Sequence, residues 1–228
     1  MNSLSSNRVA EVLDRLHREA EVADKSLREQ FAQVTNIQAV VDKILAEERV
    51  DPTAQFNANA ERFLSVPPRF GRTLYMIARG CGARRIVEFG TSMGVSTLYL
   101  AAALRDMGGG LLTGSEFVPR KAERARRNLE KTGLDNLVDI RVGDALQTLK
   151  DVEGPIDLVL LDGAFTLYLP VLKLLEPKLR DGAVILGENA FDPAYRDYVR
   201  DPANGYLSEP IPLDGEGERG NEFTVFVR

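Results

Sequence analysis

Five short apolar runs in this chain each end in groups that can carry or accept charge. IVEF contains Glu88, LLTGSEF contains Glu116, VDIRVGD ends at Asp144, IDLVLLD ends at Asp162, and AVILGEN ends at Glu188 and Asn189. In a parallel sheet, ligands bind in the crevice beyond the carboxyl ends of the strands, so this row reads as one site. The turn E-F-G-T-S-M-G places Gly90 and Gly94 as G-x-x-x-G. Without Cβ atoms, such positions allow a tight turn and a close approach of ligand to backbone. The spacing is not the G-x-G-x-x-G of dinucleotide binding, and a pyrophosphate beside Glu88 is disfavoured by charge. A zwitterionic or cationic ligand suits Glu88 better, through an ammonium group. Glu116 follows Gly94 by about 20 residues, the usual place for an acid that accepts two ribose hydroxyls. Asp144 or its neighbours are then in phase to meet an adenine.

The elements that hold these residues follow from periodicity. Strands are predicted at 85–89, 111–117, 138–142, 156–161 and 183–187, with helices at 71–79, 93–104, 119–132 and 167–180 and a short helix after the third strand. Pro119 suits a first helical position and Gly133 a C-terminal cap. Segments 206–211 and 223–227 flank the Gly- and Glu-rich stretch LDGEGERGNE and read as a hairpin pairing antiparallel at the sheet edge. Upstream, Val9, Val12, Leu13, Leu16, Ala20, Ala23, Leu27, Phe31 and Val34 mark one amphipathic helix with room for an interruption. A second pattern from Ile37 to Leu45 ends before Pro52, and a third short stretch precedes Pro67-Pro68. The chain therefore divides into a helical arm, 1–64, and an α/β domain, 65–228. The arm cannot bury its stripe alone, so packing on the domain or a homodimer is expected, with a substrate lid as the second choice.

The 228 residues, 44% hydrophobic and 28% charged, suit one globular α/β domain with an appendage. Net charge is −5 and the sequence pI about 5.2, so nucleic acid is not an expected partner. The basic helix RKAERARRNLEK is interleaved with acids and reads as a solvated face. Cys81 is the only cysteine, reads as a loop residue and excludes an intramolecular disulfide. His17 is the only histidine, read as a surface or interface residue, so no Ser-His-Asp or thiol-histidine set can be assembled. MNSLSSNRVAEV is not expected to be a secretory signal, and no apolar run approaches the roughly 20 residues of a membrane span. A cytoplasmic protein with no membrane partner is expected.

The motif VEFGTSMGVSTLYLA resembles the first motif of the class I S-adenosylmethionine-dependent methyltransferases, and more narrowly of small-molecule O-methyltransferases related to catechol and caffeoyl-CoA O-methyltransferases. The resemblance covers roughly Val66 to the C-terminus and part of the arm. It implies a Rossmann-like doubly wound sheet, mostly parallel, with an antiparallel C-terminal strand pair, and S-adenosylmethionine as cofactor. By position, Val66, Glu88, Gly90, Ser92 and Ser96 would line its methionine end, with Thr91, Gly94 and Asp162 beside them. Glu116 would hold the ribose with Phe117 adjacent, and Asp144 and Ala145 would flank the adenine. The stretch LLDGAFTLYLPVLKLLEPKLRDGAVILGEN resembles the family segment that binds a divalent metal. Asp162 and Asn189 match its ligands, and Glu188 stands where the family has aspartate. With waters and two substrate oxygens, these would complete an octahedron for Mg2+.

One departure concerns catalysis. The family's general-base lysine lies three residues after the metal-binding aspartate, and here that position is Phe165. No catalytic base is assigned. Tyr168 and Lys173 read as a helix-packing tyrosine and a solvated lysine. Phe165, Phe191 and Tyr195 lie near the expected mouth, where they would wall an aromatic acceptor or serve as core or lid packing. The expected function is Mg2+-assisted methyl transfer from S-adenosylmethionine to a hydroxyl of a small, aromatic molecule. The alternatives are a metal-independent methyltransferase acting on nitrogen, carboxylate or an acidic hydroxyl, and a non-catalytic cofactor-binding protein.

Overall fold

From Pro68 onward helix and strand alternate as the periodicity requires. The structure, a computed structural model, describes residues 2–212 and 220–228. The arm holds α1 (Asn7–Ala23), α2 (Lys25–Ala32), α3 (Ile37–Val50) and α4 (Pro52–Ala58). The alternation then runs α5 (Pro68–Gly80), β1 (Arg85–Phe89), α6 (Val95–Asp106), β2 (Leu111–Glu116), α7 (Pro119–Thr132), β3 (Val138–Val142), α8 (Ala145–Thr148), β4 (Ile156–Leu161), α9 (Tyr168–Leu175) and β5 (Leu179–Gly187). It closes with α10 (Pro193–Arg200), β6 (Tyr206–Pro210) and β7 (Glu222–Phe226).

The strands form one sheet in the order β3-β2-β1-β4-β5-β7-β6. Pairing is parallel from β3 to β5, and β7 runs antiparallel to both β5 and β6. The antiparallel C-terminal pair is therefore present. Of the LDGEGERGNE stretch expected between its strands, residues 213–219 lie outside the described residues. The chain works outward from β1 to β3, then returns to β4 on the other side of β1. This reversal is the switch point at which doubly wound sheets bind ligands. Register sets Phe89 opposite Leu161, so the Gly90 turn and Asp162 emerge side by side.

Both faces are covered at the sheet centre, which is why β4 is almost continuously apolar and buried, whereas the edge strand β3 alternates. On one face α1, α5, α6 and α7 bury Leu16, Phe70, Leu98 and Leu129 with Ile86, Leu112, Leu158 and Leu160. On the other, α8, α9 and α10 bury Leu172, Tyr195 and Val199 with Val87, Val159, Leu161 and Ile185. Ile86 and Val87 lie on opposite faces, as the two-residue period of a strand requires.

Three elements differ from expectation. The helix expected over 167–180 ends at Leu175, and β5 begins at Leu179 instead of 183; Pro177 offers no N–H to continue a helix. Helix α10 was not anticipated, although Asp192 caps it by accepting from Ala194 N and Pro193 takes a first-turn position. The long N-terminal helix breaks at Asp24, whose carboxylate accepts from Phe63 N at 3.0 Å and Leu64 N at 2.9 Å. Only the first half of its apolar stripe, Val9 to Ala20, enters the core shared with the sheet, while α2 buries none of its residues.

Candidate active site

The turn after β1 is strained at Ser92 and is held by close contact and hydrogen bonds. Gly90, Ser92 and Gly94 all have positive φ, at 97°, 47° and 87°. A Cβ on Gly90 would lie 1.9 Å from the Asp162 carbonyl oxygen, so only glycine lets the β1 and β4 ends meet. A serine at positive φ costs free energy, which the surroundings must supply. Ser92 N donates to Glu116 Oε2 at 2.7 Å and its hydroxyl to the Phe63 carbonyl at 2.7 Å.

Glu88 sits beneath this turn rather than at the surface. It is 0% exposed, and its carboxylate accepts from Thr97 Oγ1 at 2.6 Å, Ser96 Oγ at 2.7 Å and Thr91 Oγ1 at 3.1 Å. Burial pushes its carboxyl above the usual range, and these three hydroxyls oppose the shift. The first turn of α6 lies directly over the β1 end, and its hydroxyls bond both Glu88 oxygens. Ser96 and Thr91, also expected at the cofactor, are fixed by Glu88.

At the end of β2, Glu116 is 7% exposed. Its Oε2 accepts from Ser92 N, and its Oε1 from Val118 N at 2.8 Å. A carboxylate offers about four acceptor sites, so capacity remains for two hydroxyls. Phe117 follows it, partly buried. At the β3 end Asp144 is exposed and caps α8 through Leu146 N, while Ala145 is buried. Lys121, buried on the first turn of α7, lies in the field of Glu116, Asp24 and Asp162. Burial lowers its pKa, and those three acids act the other way.

The ends of β4 and β5 form the second half of the row. Asp162 N donates to the Phe89 carbonyl at 2.8 Å. Its carboxyl is held well above the usual range by burial first, then by the charges of Glu188 and Glu88. Glu188 Oε2 accepts from Asn189 Nδ2 at 2.6 Å, and the Glu188 carbonyl accepts from Tyr168 Oη at 2.7 Å. Asn189 has φ 47° and is pinned through its N–H to Asn221 Oδ1 at 2.9 Å. Among the described residues no group of three or more His, Cys, Asp or Glu side chains is arranged to hold a metal ion.

The arm lies across these strand ends. Phe56 and Phe117 have ring centroids 5.1 Å apart. Glu61 pairs with Arg120 and Glu19 with Arg124, whose guanidinium also stands over Phe63. Thus part of the basic face of α7, expected to be solvated, docks the acidic arm. Farther along, Glu48 of α3 accepts from Thr166 N at 3.0 Å, and Arg49 pairs with Asp192 at 3.1 Å.

Residues 87–190 match the family model described as a methyltransferase domain. Over 164 residues the chain is 30% identical to a Mycobacterium ulcerans protein provisionally named an O-methyltransferase, covering 67% of this chain and 71% of that one. The chain belongs to the S-adenosylmethionine-dependent O-methyltransferase family. It is also 35% identical over 147 residues to a catechol O-methyltransferase of Niastella koreensis, covering 58% of this chain and 65% of that relative, just short of two thirds of its length. In fold it resembles a Bacillus cereus O-methyltransferase crystallised with SAH, at TM-score 0.65 and 22% identity, over 92% of this chain and 100% of that one.

Val66 is buried where the arm enters α5. Phe165 and Phe191 meet edge to face with centroids 5.2 Å apart, both partly buried beside the β4 and β5 ends. Tyr195 is fully buried in the second core, so of the two readings given to it, core packing holds. Tyr168 is buried too, and Lys173 lies over the Tyr198 ring. His17 is distant from the row, bonded to Tyr99 Oη at 3.1 Å, with its pKa lowered by burial. Burial raises the Cys81 thiol, the reverse of what a nucleophile needs. No local signal marks Glu48, Asp24 or Phe56, whose partners are far away in the chain.

Proposed function

We propose that this protein transfers a methyl group from S-adenosylmethionine to a hydroxyl of a small aromatic molecule. The observation that carries the reading is the Glu116 carboxylate, buried at the β2 end with acceptor capacity remaining and the strained Gly90 to Gly94 turn bonded to it. Glu116 would take the ribose hydroxyls. Phe117, Asp144 and Ala145 would flank the adenine, and Val66, Gly90, Thr91, Ser92, Gly94, Ser96 and Asp162 would shape the methionine end. Glu88 supports that end through its hydroxyl partners. When bound, the donor supplies an activated methyl on a sulfonium. The transfer from sulfonium to an oxygen anion removes charge, so a dry pocket favours it. The covering arm supplies that dryness.

The aromatic acceptor rests on the Phe165–Phe191 pair at the mouth, and on the catechol O-methyltransferase name of the Niastella relative. Asp162, Glu188 and Asn189 fit Mg2+ in donor type, two carboxylates and an amide. The mutual repulsion of Asp162 and Glu188 is what a cation would relieve. These three residues would hold it, and it would lower the pKa of a bound hydroxyl. Metal-independent transfer is the second reading. It is favoured by the Asn189 amide, which is turned onto Glu188. A homodimer and a cytoplasmic setting complete the proposal. The dimer is supported by the arm, which leaves Val22 78% and Val50 89% exposed.

The test is a methylation screen of phenols, catechols, amines and carboxylates with labelled donor. Label on phenols or catechols is expected. Label only on amines or carboxylates would overturn the hydroxyl assignment.

A further inference from the structure

An acceptor hydroxyl must lose a proton as its oxygen is methylated, and the position where the family resemblance expects a lysine base holds Phe165. Phenylalanine cannot take a proton, but the fold brings a carboxylate from the arm to the same turn. Glu48 is 5% exposed on α3, and its Oε2 accepts from Thr166 N at 3.0 Å and from Thr166 Oγ1 at 3.2 Å. Thr166 is the residue after Phe165, so the carboxylate is held at the turn that would have carried the lysine. Glu48 belongs to the same electrostatic neighbourhood as the strand-end acids: Tyr168, bonded to the Glu188 carbonyl, feels the charges of Asp162, Glu188 and Glu48 together.

The surroundings keep this acid basic. Arg49, the adjacent cation, is directed to Asp192 at 3.1 Å. Burial raises the Glu48 carboxyl above its usual range, Asp192 adds to the rise, and the Thr166 and Phe165 bonds oppose it. A carboxylate offers about four acceptor sites, so one remains beyond the two bonds to Thr166 and the one to Phe165. Proton transfer is most efficient when the base titrates near the working pH, and a raised carboxyl moves in that direction.

We propose that Glu48 is the proton acceptor for the hydroxyl that is methylated. The inference rests on the methyl transfer proposed above. The O–H bond breaks and its proton passes to the Glu48 carboxylate. An oxygen lone pair forms the new O–CH3 bond, and the C–S bond breaks with its electron pair remaining on sulfur. The sulfonium becomes a neutral thioether, and the protonated Glu48 afterwards loses its proton to water.

The experiment compares Glu48→Gln with the wild type on two acceptors found by the screen: an ordinary phenol or catechol, and an electron-poor phenol already ionised at the assay pH. Glutamine keeps the size and an acceptor oxygen for Thr166. Loss of the base is expected to lower kcat on the un-ionised acceptor by about 10²- to 10⁴-fold. Donor affinity and the rate on the ionised acceptor should change only a few-fold. Equal loss on both acceptors would make Glu48 a docking residue of the arm, and no loss on either would remove it from the reaction; both results overturn the proposal. Should Glu48→Gln fail to fold, Glu48→Asp, which keeps the charge but shortens the reach, is expected to show the same split between acceptors. If the wild type methylates neither acceptor, the proposed function itself fails, a result distinct from a working wild type with an indifferent variant.

Discussion

Phe56 of the arm stacks against Phe117, the residue next to Glu116, with ring centroids 5.1 Å apart and planes inclined at 31°. The contact joins α4 to the strand end that would hold the ribose, so the arm would form part of the wall of the proposed cofactor cleft. Phe56→Ala should therefore weaken S-adenosylmethionine binding by about 3- to 10-fold, in line with ~0.5–1.5 kcal/mol for an aromatic pair. Calorimetry measures this directly, and an unchanged Kd would place Phe56 outside the cleft.

Gly90→Ala should behave unlike a common glycine-to-alanine change, which often stabilises. The new Cβ would fall 1.9 Å from the Asp162 carbonyl at a φ of 97°. A loss of about 3 kcal/mol or more is expected in denaturant unfolding, the range of backbone strain combined with overpacking. A variant as stable as the wild type would show that the β1 and β4 turns do not meet as described.

Glu88 should imprint a pH dependence on stability. Its folded carboxyl titrates above its ordinary value of 4.5. Between the two values the unfolded chain holds fewer protons than the folded one. Stability should then fall as pH rises through that window, by at most about 1.4 kcal/mol per pH unit. Glu88→Gln should flatten this slope in unfolding measured from pH 4.5 upward. Equal slopes in both proteins would mean that the three hydroxyls fully offset burial.

A chelator separates the two readings of the β4–β5 edge. If Asp162, Glu188 and Asn189 hold Mg2+, removing it should slow transfer at least about tenfold, and added Mg2+ should restore the rate. Full activity in chelator would leave methyl transfer standing and remove the metal.

Much of the sheet was legible because local signals agree with the global fold. Apolar runs bounded by glycine and acid gave β1, β3 and β4 their observed limits, and Pro119 with Gly133 bounded α7. Glu116 could be located because its spacing from Gly94 is set by one crossover helix. The inward turn of Glu88 was not legible, since it depends on how the first turn of α6 lies over β1. Glu48 was invisible for another reason: its partner Thr166 is 118 residues away, and only the path of the arm joins them. The break at Asp24 likewise reflects its bonds to Phe63 and Leu64, not local propensity.

Titration of S-adenosylmethionine into the wild type and Glu116→Ala tests most directly whether the row of acids forms a donor site centred on Glu116. The wild type should bind with one site per chain. The variant, shown to be folded by its unfolding midpoint, should bind about 100-fold or more weakly, given ~1.5–3 kcal/mol for each hydrogen bond to a charged group. No binding by the wild type, or equal affinities in the two proteins, would contradict the account.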